Sequence, residues 1–150
     1  MLVSYTHPSR DEIRTMLGEA RTVAVVGLSD KPERTSYMVS EAMQQKGYRI
    51  IPVNPAASGP ILGETCYASL EEIPEPIDIV NVFRRSEHCP EIAAAAVRIG
   101  ASVLWLQLGV YSEEAAEIAA SGGLQVVMDR CIKVEDSLLW PQGKSSSELG

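Results

Sequence analysis

The stretch VAVVGLSDKPERTSYMV, residues 23–39, gathers the residue types that can hold a phosphate. Gly27 ends a short apolar run. Ser29 and Ser36 offer hydroxyls, and Lys31 and Arg34 offer cations. Met38, Val39, Ala42 and Met43 then recur at helical spacing. A strand, a glycine turn and a helix start, in that order, leave the first helical N–H groups without intrahelical partners. Such N–H groups near Thr35, Ser36 and Tyr37 favour an anion. Further cations stand just past later apolar runs, at Arg84, Arg85 and Arg130. Together they read as an anion site in an acidic chain, of net charge −7.

A dinucleotide loop has a second glycine, for close approach to a pyrophosphate, and an acid ending the next strand, for the ribose hydroxyls. This chain has Ser29 for the glycine and Asn54 for the acid. Asn54 can hydrogen-bond but does not repel a phosphorylated ribose as a carboxylate would. Plain NAD is therefore disfavoured, and a more phosphorylated adenine nucleotide is accommodated. An NAD(P)-dependent oxidoreductase stays as the alternative, beside a nucleotide-binding regulatory module.

These residues need a frame, and the rest of the chain supplies one. Ser9-Arg10-Asp11-Glu12 has the form of a capping box, which predicts a helix over about 10–20. Strands are expected at Val23–Gly27, Tyr48–Val53, Ile77–Phe83, Ser102–Leu106 and Leu124–Met128, with a short one near Thr65–Tyr67. Helices are expected at Ser36–Lys46, Glu87–Ile99, Ser112–Ala120 and from about Val134, with a single turn at Ser69–Ile73. Pro55–Tyr67 is otherwise loop, and the serine-rich tail after Pro141 reads as frayed. Strands this apolar are buried on both faces, and alternation with helices means a parallel sheet covered on both sides. Ligands bind beyond the carboxyl ends of such strands. The exits are Ser29, Asn54, Arg84-Arg85-Ser86, Gln107–Gly109 and Asp129–Cys131.

Composition narrows the function classes. The 150 residues suit one domain, with 45% hydrophobic and 5% aromatic side chains. Duplex nucleic acid is not an expected partner, because binding it needs a basic face. No apolar run approaches the roughly 20 residues of a membrane span, and MLVSYTHPSRDE lacks the form of a secretory signal. Cys66, Cys89 and Cys131 are odd in number and far apart, which reads as cytoplasmic thiols with neither a disulfide frame nor a metal cluster.

The segments VAVVGLSDKPERTSYMV, YRIIPVNP, IDIVNVFRRSE, ASVLWLQLGV and VVMDRCIKVE span residues 23–136. In that order and spacing, the chain resembles the stand-alone CoA-binding proteins, which are similar to the N-terminal domain of the succinyl-CoA synthetase α subunit. The resemblance implies a Rossmann-like doubly wound α/β domain that binds coenzyme A or an acyl-CoA at its strand exits. It implies that Gly27, Ser29, Lys31, Arg34, Ser36 and Tyr37 form the phosphate loop. Asn54 and Pro55 would lie beside the adenosine, and Val82, Phe83, Arg84 and Arg85 would line the cofactor groove. It assigns no reaction to the stand-alone members, and His7 and His88 match no phosphorylated-histidine motif of the synthetase.

Other residues have plainer expectations. Cys131 follows a strand beside Arg130, a cation that lowers a thiol pKa when close. Exchange with the CoA thiol is one reading of it, and a packed small side chain is the favoured one. His88 reads as exposed, and Trp105 as core. Gln107 and Gly109 read as shaping a turn that faces the site. Asp129-Arg130 reads as an internal salt bridge, and Glu113, Glu114 and Glu117 as a solvated helix face.

Overall fold

The chain is described here by a computed structural model covering residues 5–142. The strands are β1 (Thr22–Val26), β2 (Arg49–Val53), β3 (Ile79–Val82), β4 (Val103–Leu106) and β5 (Gln125–Val127). All pair in parallel, in the order β2-β1-β3-β4-β5. The helices are α1 (Arg10–Glu19), α2 (Thr35–Gln45), α3 (Cys89–Arg98), α4 (Glu113–Ser121) and α5 (Ile132–Leu139). The arrangement is Rossmann-like.

Alternating strand residues separate the two faces. Ala24, Val26, Ile51, Val53, Val80, Val82, Leu104 and Leu106 pack with the alanine-rich faces of α3 and α4. Val23, Val25, Ile50, Ile79, Val103, Trp105 and Val127 pack with Ile13, Met16 and Leu17 of α1, Val39 and Met43 of α2, and Ile132 of α5. Ile79, Leu104 and Trp105 are fully buried. Burying each such aliphatic side chain is worth roughly 1.5–3 kcal/mol, so the double coverage explains why these strands read as continuous apolar runs.

Helix ends follow local chemistry. The Ser9 hydroxyl accepts from the Glu12 N–H at 3.1 Å, and Glu12 accepts from the Ser9 N–H at 2.9 Å, so the capping box forms. Ser112 caps α4 by accepting from the Ala115 N–H. The expected helix at Glu87–Ile99 is instead a 3-10 turn, Ser86–His88, followed by α3. Pro90 stands in the first turn of α3, where its missing N–H costs nothing. The last helix begins at Ile132, two residues before the expected Val134.

The short strand expected at Thr65–Tyr67 is a single parallel bridge between Val53 and Tyr67. Tyr67 donates to the Pro52 carbonyl at 3.0 Å and accepts from the Asn54 N–H at 2.9 Å. Pro52 has no N–H to give, so pairing along this edge stops there. The frayed tail expected after Pro141 falls, beyond Gln142, outside the described residues.

The C-terminal helix is held by a buried polar cluster. Asp136, 1% exposed, accepts from the Tyr48 hydroxyl at 2.6 Å and from Lys46 Nζ at 3.0 Å. Desolvation, with the adjoining carboxylate, raises the Tyr48 phenol far above its ordinary pKa, so it stays a donor. These bonds fasten α5 to the end of α2 and the start of β2.

Candidate functional site

The chain runs from β1 to β2 on one side and later places β3 on the other side of β1. Loops leaving β1 and β3 therefore diverge, and a crevice opens between them at the carboxyl ends. Gly27 sits at that point with φ +88°. A Cβ built on it would lie 2.6 Å from the Phe83 carbonyl oxygen. Only glycine fits the conformation and the approach together.

One cavity of about 510 Å³ lies over this point, lined by Gly27, Ser29, Glu33, Arg34, Thr35, Ser36, Asn54 and Phe83. Helix α2 starts in its wall. Arg34 is its N-cap without a side-chain cap bond, and its first turn holds no acid. By contrast α1 and α4 are both capped by serine and have acids in the first turn. The first N–H groups of α2 have no intrahelical partner, and the residues that open the helix, Arg34, Thr35 and Ser36, line the cavity.

The loop is shaped by its own hydroxyls. Ser36 Oγ accepts from the Ser29 N–H at 3.0 Å, and Ser29 Oγ accepts from the Lys31 N–H at 3.1 Å. Asn54 is also engaged. Its Nδ2 donates to the Leu28 carbonyl at 3.0 Å, and its Oδ1 accepts from the Ala56 N–H at 2.9 Å. Asn54 therefore ties the exit of β2 to the exit of β1, a role its position at the strand end had not disclosed.

A second cavity, of about 300 Å³, opens on the α3 side of the sheet. Its apolar wall comes from Val26, Val53, Pro55, Leu70, Ile92 and Ala95, and its polar rim includes Arg84, Glu91, Arg98 and Glu71. Arg98 donates to Glu71 through Nε at 3.1 Å and a terminal nitrogen at 2.7 Å. That guanidinium holds the Glu71 carboxyl below its ordinary pKa. Val26–Gly27, Asn54–Pro55 and Phe83–Arg84 each divide between the two cavities, so the cavities adjoin along the same three strand exits.

The residues expected at the site now separate. Gly27, Ser29, Arg34, Ser36, Asn54 and Phe83 line the first cavity, and Pro55 and Arg84 the second. Lys31 is exposed on the loop, outside both linings. Tyr37 packs against the core formed with α1, α2 and α5. Val82 is wholly buried in the opposite core. Arg85 extends into solvent, 3.9 Å from Glu87, with its side chain 86% exposed. The chain bends at Arg84, whose side chain lies against Gly27, while Arg85 stands at the N-cap of the following 3-10 turn and points outward.

Farther along the rim, the expected salt bridge at Asp129-Arg130 does not form. Asp129 adopts φ +57° and its carboxylate accepts from the Gly109 N–H at 2.7 Å. Arg130 donates to the Asp129 carbonyl at 3.0 Å. Gln107 is buried and accepts from the Ile132 N–H at 3.3 Å, so it joins β4 to α5 rather than facing a ligand. Cys131 is half-buried at the N-cap of α5 and borders neither cavity.

Glu33 in the first cavity, and Ile92, Ala95 and Arg98 in the second, were not among the expected site residues. Ile92 and Ala95 carried a signal, the helical spacing that puts both on one face of α3. Glu33 lay within the loop motif itself. Among the described residues no group of three or more metal-ligating side chains converges, and no helix is long and apolar enough to cross a membrane.

Comparison with known proteins adds to this geometry. The profile of the "CoA binding domain" family matches residues 21–137. The uncharacterized protein YneT of Bacillus subtilis (strain 168) is 52% identical over 128 residues, 85% of this chain and 94% of that one. A solved hypothetical protein from Pyrococcus horikoshii OT3 is similar at a TM-score of 0.84 and 34% identity, covering 91% of this chain and 99% of that one. Acetate–CoA ligase [ADP-forming] II of Archaeoglobus fulgidus is 29% identical over 96 residues, 63% of this chain but 14% of the ligase.

Proposed function

This chain belongs to the CoA binding domain family, and from that premise we propose that it binds coenzyme A or an acyl-CoA at the carboxyl ends of its parallel strands. The observation that carries the reading is the uncapped start of α2, with Arg34, opening on a cavity that adjoins an apolar one. CoA has the matching parts. Its pyrophosphate and 3′-phosphate need N–H and cationic partners. Its longer, less polar remainder needs a groove of apolar wall and scattered polar groups. Arg84, on the rim of the second cavity, adds a cation between the two.

The engagement of Asn54 with Leu28 and Ala56 favours CoA over NAD, because the residue at the usual ribose-binding position is committed to the loop. The similarity to part of an ADP-forming acetate–CoA ligase supports a CoA-handling module. We assign it no reaction, and we place the binding in the cytoplasm, where free thiols such as Cys66, Cys89 and Cys131 stay reduced.

Isothermal titration with CoA, acetyl-CoA, NAD and NADP tests the reading. CoA is expected to bind at least about tenfold more tightly than NAD, a gap of roughly 1.4 kcal/mol. In a thermal shift assay, CoA at about a hundredfold excess over Kd should stabilise the fold by roughly 2.7 kcal/mol. NAD binding as tightly as CoA would overturn it.

A further inference from the structure

Among the described residues lining the first cavity, Glu33 brings the one carboxylate, immediately before Arg34. An anion site gains nothing from a negative charge, so this side chain calls for a different partner. In parallel sheets that bind adenine dinucleotides, an acid at the end of the second strand accepts a hydrogen bond from a ribose hydroxyl. Here that position is Asn54, whose amide is bonded at both ends to backbone. One of those bonds, to the Leu28 carbonyl, draws the β1 loop onto the exit of β2. The β1 loop thus supplies an exposed acid, Glu33, at the edge of the cavity where the β2 exit supplies none.

We propose that Glu33 accepts the ribose 2′-hydroxyl of the bound CoA, and that Arg34 beside it faces the neighbouring 3′-phosphate. The assignment rests on the CoA reading above. It makes Glu33 a specificity residue through two effects. A carboxylate accepts from a hydroxyl donor, and it repels a phosphate at the same carbon. A ligand with a 2′-hydroxyl and a 3′-phosphate is then favoured over one without the hydroxyl, and over an isomer phosphorylated at the 2′ position.

The test uses CoA displacement by adenosine 3′,5′-bisphosphate and by 2′-deoxyadenosine 3′,5′-bisphosphate, on the intact chain and on Glu33→Ala. The intact chain should prefer the ribo compound by about tenfold, as expected for losing a hydrogen bond to a charged group. Glu33→Ala should erase that preference while keeping its affinity for the deoxy compound. Equal affinity of the intact chain for the two compounds would overturn the proposal. So would tighter binding of both by Glu33→Ala, the mark of a carboxylate that only repels. If CoA binds and neither bisphosphate displaces it, the adenosine end lies elsewhere and Glu33 loses this role. CoA failing to bind the intact chain would instead overturn the reading on which the proposal rests.

Discussion

The carbonyl oxygen of Phe83 stands 2.6 Å from where a side chain on Gly27 would begin. Two strand exits, β1 and β3, meet there with no room for a methyl group. The loop must turn at φ +88° to enter the crevice. Gly27→Ala therefore meets both a strained dihedral and backbone that cannot yield. We expect a loss of roughly 2 kcal/mol or more in urea unfolding, combining left-handed strain with overpacking. CoA affinity, measured by titration on the folded fraction, should fall with it. A variant as stable as the parent would show that the two exits separate easily.

Arg34 is the exposed cation of the first cavity. Arg34→Ala should weaken CoA by roughly 1.5–3 kcal/mol, the range for a hydrogen bond to a charged group. Dephospho-CoA identifies the phosphate concerned. The loss is expected for CoA and not for dephospho-CoA, as the 3′-phosphate assignment requires, and an equal loss for both ligands would move Arg34 to the pyrophosphate instead. Arg85→Ala serves as the control, because Arg85 extends away from the cavities. It should change affinity less than about twofold, well under the roughly 1.4 kcal/mol of a tenfold change.

Stability rests partly on the cluster that fastens α5. Asp136→Ala leaves the Tyr48 hydroxyl and Lys46 without their shared carboxylate. The expected cost is about 1–3 kcal/mol, the range for lost hydrogen bonds to a buried charged group, because Lys46 keeps the Ser137 hydroxyl and Tyr48 keeps the Leu17 carbonyl. Tyr48→Phe should cost about 1–2 kcal/mol, having lost the one hydroxyl proton that lies between the Asp136 carboxylate and the Leu17 carbonyl. The double variant should cost less than the sum, because the two side chains share one interaction. Chemical denaturation of the three variants measures this, and strict additivity would deny the coupling.

The three thiols should react in a set order. Burial pushes Cys89 up to about 11 and also raises Cys66. Cys131 is half-buried at the open start of α5. Labelling with a disulfide reagent at neutral pH should therefore mark Cys89 last, because it is buried and its attacking thiolate is the scarcer for it. Alkylation of Cys89 should gain rate as pH climbs toward its raised value. Intact-protein mass spectrometry of Cys131→Ser, Cys66→Ser and Cys89→Ser decides the order, and first labelling at Cys89 would contradict it.

Much of the frame was legible because it is written in local terms. A doubly covered strand must be apolar along its length, so β1 to β5 appear as short runs such as Val23–Val26 and Val103–Leu106. Ser9 and Ser112 mark helix starts through bonds to residues three positions away. The phosphate loop could be recognised for the same reason. Gly27, Ser29, Arg34 and Ser36 lie within one strand-turn-helix unit, and their function follows from its geometry.

What could not be read depends on segments distant in the chain. Whether Arg84 or Arg85 turns inward is decided by how the β3 exit packs on Gly27. Asn54 is occupied because Leu28 arrives beside it, and Asp129 bonds Gly109 because two loops meet. The second cavity needs α3 and the Ala68–Glu71 segment to meet beside the ends of β1 and β2, which puts Ile92 and Ala95 in one wall with Val26 and Val53. The sequence by itself determined the alternation of strand and helix, and a loop suited to an anion, because hydrophobic periodicity and helix capping act over a few residues. Only the tertiary structure decided which polar groups face the cavities and which are committed to backbone, because a hydrogen bond forms with whatever group the fold brings within about 3 Å.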